Sequence, residues 1–135
     1  FYEKIPITRS MGIRVISSEP AQFVIEAPLL LNHNHLGTAF GGSLSAIATL
    51  AGYGMIWLAL QDRDSHVVIR ESAITYRRPV RGNIRAICRL PLPAIVEAFR
   101  GNFAKKGKAR INLSVVIEEE GEVAVRFKGT FVALK

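Results

Sequence analysis

Cysteine is nearly absent: the single Cys88 excludes an intrachain disulfide and suits a reducing, cytoplasmic setting. It falls in the apolar alternation NIRAICRL and reads as a core thiol. Acid is scarce where base is dense, since Arg77 to Arg110 holds ten basic residues against Glu97 alone, within a net charge of +7. That excess implies an anionic partner, whether an acidic protein, a phosphorylated cofactor or a nucleic acid. No helical or aromatic-platform recognition motif accompanies it, so nucleic acid is not the expected partner. His33 and His35 have neither cysteine nor acid beside them, and with only His66 elsewhere they fall short of a metal set. The glycines at 41 and 42 lack a following Gly-Lys-Ser/Thr, which excludes a phosphate loop. There is no internal repeat, low-complexity tract or linker, and 135 residues suit one domain, 1–135. The opening FYEKIPITRS has neither an initiator Met nor the apolar stretch of a secretory signal, and the domain could be part of a longer chain.

Charge is missing altogether from Leu36 to Leu60. On length alone these 25 residues could cross a membrane. Five glycines, abundant Ala, Ser and Thr, and the mixed-charge flank QDRDSH favour a helix buried in a protein core, with no membrane partner.

The rest of the chain supplies the apolar faces such a helix needs. A short helix over Ile5–Met11 is stopped by Gly12. IRVISSEP and AQFVIEAPL form a hairpin with Phe23, Ile25 and Ala27 on one face and Glu26 on the other. HVVIRESAITYRRPV and NIRAICRL flank the turn Arg81-Gly82, with Ile84, Ala86, Cys88 and Leu90 sharing a face. A short helix over Pro93–Lys106 aligns Ile95, Phe99 and Phe103. Two long strands close the chain around the EEGE turn. The expected class is α+β: an antiparallel β-sheet wrapped around one long central helix, the hot-dog fold, with Ala46, Ala48, Ala51 and Gly52 letting strands approach the helix axis. Open sheet edges predict at least a homodimer.

Asn34, Gly37, Thr38, Gly41 and Gly42, followed by Ser43-Leu44, resemble the helix-entry motif of hot-dog thioesterases of the phenylacetate-pathway type. Those enzymes read Asn, Gly-Thr-x-His-Gly-Gly and then an Asp on the helix; TYRRPVRG also resembles their third strand and following turn. NHNHLGTAFGGSL with LAGYG is similar to the YiiD C-terminal domain family, found alone or fused behind an acetyltransferase, over nearly the whole chain. The resemblance implies an enzyme of fatty-acid metabolism acting on an acyl or malonyl thioester of acyl carrier protein or CoA. It implies no cofactor beyond the CoA or phosphopantetheine of the substrate, and a homodimer or dimer of dimers. Hydrolysis and decarboxylation of malonyl-acyl carrier protein are both implied. Phe40 stands where the thioesterase motif has His, and Thr49 stands where it has the catalytic Asp, so the usual general base is missing.

Either reaction puts negative charge on the thioester oxygen. The amides of Gly41 and Gly42, at the positive end of the helix dipole, would join the Asn34 side chain as an oxyanion hole. Against that stands a structural reading in which Asn34 caps a turn and the glycines relieve crowding. Hydrolysis also needs a base, whereas decarboxylation needs only the hole and a dry place for the carboxylate, which Phe40 and Thr49 suit. Glu71 could serve as base for hydrolysis, or it could be ion-paired with Arg70 or Arg77. Thr38, Phe40, Ser43 and Thr49 are candidate substrate contacts, the last two also readable as helix packing. Arg77, Arg78 and Arg81, with Lys105 and Lys106, are candidates for steering an acidic carrier or gripping phosphate. Loss of the His and Asp keeps open a non-catalytic acyl-binding module.

Overall fold

In the computed structural model, which describes residues 1–62 and 64–135, the hydrophobic alternation closes around the uncharged helix; Arg63, in the QDRDSH flank, lies outside the described residues. The elements run α1 (Ile7–Met11), β1 (Arg14–Glu19), β2 (Gln22–Ala27), α2 (Gly41–Leu60), β3 (His66–Tyr76), β4 (Ile84–Arg89), α3 (Pro93–Lys106), β5 (Lys108–Glu119) and β6 (Glu122–Leu134), with a 3-10 turn at Leu29–Leu31. The six strands form one sheet in the order β1-β2-β4-β5-β6-β3, with every neighbour antiparallel. The chain therefore crosses from β2 to the far edge of the sheet through α2. This is the wrapped-helix architecture of the hot-dog fold.

Strand alternation decides which residues meet the helix. Ile25, Ala27, Ile84, Cys88, Val115 and Phe127 are among those with almost no exposure. Burial pushes the Cys88 thiol up to about 12, so it stays protonated, a core group as its run implied. On α2, ten of twenty residues are buried and only Gly42 is exposed, so protein packing covers most of the helix. Ala48, Ala51 and Gly52 lie on that buried side, while Ala46 is only half-buried. Approach is closest at two glycines: a Cβ on Gly52 would sit 2.3 Å from Phe131 Cζ, and one on Gly54 would sit 2.0 Å from Phe23 Cε2.

Two details depart from the sequence reading. Ile95 is 47% exposed, and Val96 is buried along with Phe99 and Phe103 instead, the i, i+3, i+7 spacing of 96, 99 and 103 marking the helix face turned away from solvent. β3 carries a bulge, with Ile69 opposite Phe131 and Glu71 opposite Thr130, so Arg70 is the extra residue and the strand's faces exchange beyond it.

Gly52→Ala should lower stability by about 1–2 kcal/mol, because overpacking against the buried Phe131 ring outweighs the roughly 1 kcal/mol gained from helix propensity. Gly101→Ala, on α3, meets nothing within 4 Å and should stabilise instead. Thermal melts of the two variants should therefore move in opposite directions.

Candidate functional site at the entry to the central helix

The segment between β2 and α2 is a loop whose polar groups are largely spent on itself. Asn34 Oδ1 accepts from the backbone N–H of Leu36 (2.8 Å) and of Thr38 (3.2 Å), and Asn34 Nδ2 donates to Thr38 Oγ1 at 2.9 Å. The Asn34 N–H in turn donates to the Thr38 carbonyl at 2.7 Å, which closes a tight turn around Gly37 at φ 80°. A carboxamide has two N–H donors, so these bonds fix the amide plane and leave one Nδ2 hydrogen without a protein partner.

The loop is clamped to its surroundings. The Ala39 N–H donates to the Val80 carbonyl at 2.8 Å, and the Phe40 N–H to the Asn32 carbonyl at 2.7 Å. Asn32 is 3% exposed, and its Nδ2 donates to the carbonyls of Met11 (2.9 Å) and Pro28 (2.8 Å). His33, exposed, places Nδ1 2.9 Å from the Asn34 carbonyl. A carbonyl only accepts, so Nδ1 carries the proton and Nε2 is left as the basic nitrogen.

Helix α2 begins uncapped. Phe40 occupies the cap position in extended conformation with no side-chain bond to the helix. The first cap-crossing bond runs from the Leu44 N–H to the Phe40 carbonyl, and among the described residues the amides of Gly41, Gly42 and Ser43 have no backbone partner. A Cβ on Gly42 would lie 2.5 Å from Phe40 Cε2, so the bare glycine lets the Phe40 ring fold over the helix start. Tyr76, at the end of β3, donates its hydroxyl to the Gly41 carbonyl at 3.2 Å. Around this entry Leu36 (75%), Phe40 (55%) and Tyr76 (50%) are exposed, an apolar rim about unpaired donors.

The remaining sequence candidates divide. Ser43 lies half-buried in the first turn. Thr49 donates its hydroxyl to the Ser45 carbonyl at 2.9 Å, which spends its proton within the helix. Glu71 is exposed and paired with Thr130 on the sheet's outer face, five residues or roughly 16 Å along β3 from Tyr76. Its expected pairing with Arg70 or Arg77 is corrected: among the described residues Glu71 pairs with neither, and the acids that pair with arginine are Glu26, with Arg14, and Glu122, with Arg78. Arg70 sits in the bulge, and Arg77 lies roughly 20 Å further along the chain path. The Arg81 backbone N–H bonds the Glu119 carboxylate, and among the described residues its guanidinium has no hydrogen-bond or ion-pair partner. Arg77 anchors by its N–H to the Ala124 carbonyl at 2.7 Å and shares a surface groove with Arg126. Lys105 and Lys106 do not join these arginines, because α3 ends beside the opposite end of β6.

Asn32 was not picked out from the sequence, and Tyr76 and Val80 enter only inside TYRRPVRG, with no role of their own. Asn32 could have been, as one of two asparagines bracketing a short polar loop. The contacts of Tyr76 and Val80 come from elements more than thirty residues away and leave no local signal.

A family model described as "Putative thioesterase (yiiD_Cterm)" matches residues 1–135. The chain is 35% identical to a crystal structure of a protein of unknown function from Chlorobaculum tepidum TLS, covering 100% of this chain and 90% of that one with a TM-score of 0.92. It is 29% identical to a structure described as a "putative thioesterase" from Shewanella oneidensis, covering 99% and 91% with a TM-score of 0.84. A protein of unknown function from Pseudomonas aeruginosa matches at 25% identity, covering 98% and 89%, also with a TM-score of 0.84.

Asn32→Ala should cost about 1–3 kcal/mol, because it strands two carbonyls at a buried site. Chemical denaturation should show a lower midpoint with an unchanged slope.

Proposed function

Since the chain belongs to the YiiD C-terminal thioesterase family, we propose that it is an enzyme acting on an acyl or malonyl thioester of acyl carrier protein or CoA, with decarboxylation of a malonyl thioester as its favoured reaction. The observation that carries this reading is the pairing of unspent donors with the lack of a base on the helix. The free amides of Gly41 and Gly42 and the spare Nδ2 hydrogen of Asn34 would receive the thioester oxygen as it gains charge. The bond between the malonyl methylene and its carboxylate breaks, CO2 leaves, and its electron pair becomes the enolate held by these donors. A proton from water then completes the acetyl thioester. No step requires a protein base. Thr49 supplies none, Phe40 is apolar and Glu71 faces away on the outer surface.

Hydrolysis is the second reading. The family description supports it, and His33, bonded through Nδ1 to the Asn34 carbonyl, is the titratable group that would activate water through Nε2.

A second copy completes the proposal. β3 is an edge strand, and α2 keeps a half-buried line at Ala46, Thr49 and Tyr53. Pairing of two copies there would close the sheet edge and shield the apolar rim. Arg77, Arg81 and Arg126 then remain to steer an acidic carrier, while the charge of Arg78 is shared with Glu122.

Incubation with malonyl-acyl carrier protein followed by mass spectrometry of the carrier should yield acetylated carrier; free carrier would favour hydrolysis, and unchanged carrier a non-catalytic module. Asn34→Ala should reduce turnover on the order of a hundredfold. A destabilised Asn34→Ala that retains full activity would leave the residue as a loop brace only. Light scattering should give at least twice the 14.9 kDa of one chain.

A further inference from the structure

The outer face of the sheet carries a cleft that the helix entry does not use. Its floor is apolar: Val132 and Leu134 on β6 and Val68 on β3. Register places Val132 between Arg110 on β5 and Val68, and Leu134 between Lys108 and His66. The bulge adds Arg70 from the β3 side, and Lys106 reaches in from the end of α3. Four cations thus rim a cleft of about 740 Å³ whose lining holds no carboxylate. Among the described residues none of the four has a side-chain hydrogen bond or an ion pair. Glu71, one register row away on the same face, is unpaired as well.

Four exposed like charges around an apolar floor create a positive field that attracts an anion. A lone inorganic anion would leave Val68, Val132 and Leu134 bare, and an apolar ligand would leave the cations unmatched. A ligand with two or more phosphates joined to a flat, largely apolar body meets both demands. We propose that this cleft binds a nucleoside polyphosphate, with the phosphates on Arg70, Lys106, Lys108 and Arg110 and the base against the aliphatic floor. Such a group occurs as a free nucleotide and as the nucleotide end of CoA. The site stands apart from the chemistry proposed at the helix entry: it lies beside the start of β5 and the end of β6, whereas the entry lies near Ala124 at the start of β6. It therefore stands whether or not the thioester reading holds.

The test is calorimetric titration of the intact chain with ADP, CoA, adenosine and inorganic pyrophosphate. ADP should bind saturably, more tightly than either adenosine or pyrophosphate, and more weakly as salt rises. CoA binding more tightly than ADP would identify the coenzyme as the source, and equal binding a free nucleotide. Lys108→Gln and Arg110→Gln should each weaken ADP binding about tenfold. Arg70→Gln, outside the β5 ladder, should do the same and serves if either strand variant fails to fold. Failure of ADP to bind, adenosine binding as well as ADP, or full affinity in the folded variants would overturn the assignment. So would displacement of ADP by an acidic peptide or a DNA duplex at lower concentration.

Discussion

Because no residue of α2 carries a charge, the helix can persist only where apolar strand faces enclose it, and that enclosure organises the molecule. Phe127 and Phe131 from β6, Ile25 from β2 and Ile84 from β4 all reach it from one curved sheet. Gly52 and Gly54 bring two aromatic rings to within contact of the helix backbone, a separation no larger residue permits. The C-terminal end is tied down by Arg100, whose Nε donates to the Ala59 carbonyl at 2.7 Å. A helix held along its length and at its last turn delivers its first turn to one place, at the end of β3.

That first turn contrasts with the loop that precedes it. Within 32–40, backbone and side-chain groups bond each other and the flanking carbonyls, so the loop keeps its shape without a ligand. At Gly41 to Ser43 the amides have no partner, although Thr38 and Asn34 lie only a few residues upstream. Unpaired donors next to a loop that bonds most of its own groups, the buried Asn32 Oδ1 excepted, mark a place where the fold forgoes its own capping bonds and keeps a positive helix end.

Charge is distributed on the same plan. Acid and base cancel where strands end, at Arg78–Glu122 and Arg14–Glu26, while two groups of cations lie apart from each other. One lies with Arg77 and Arg126 near the helix entry, the other with Lys108 and Arg110 on the outer face. The basic run from Arg77 to Arg110 reads as one feature in sequence, but β4 and α3 intervene and carry its two ends to opposite limits of the sheet.

What was legible in the sequence is what depends on local periodicity and residue type. The strands around Phe23–Ala27 and Ile111–Ile117 follow from alternation, the central helix from its uncharged run, and its start from the glycine pair after a polar loop. The turn at Gly12 and the buried thiol of Cys88 follow in the same way. The sequence was silent where a property depends on which distant segments meet. Alternation identifies two faces of β3 but not the bulge at Arg70 that exchanges them, so only the register places Glu71 on the outer surface. The role of Asn34 was half visible: its residue type and place in the motif marked a donor, while only the bonds to Leu36 and Thr38 show that its oxygen is spent and one hydrogen left over. Residue chemistry is local and survives in the sequence; register, partner and spare valence are relations between segments, and tertiary packing alone decides them.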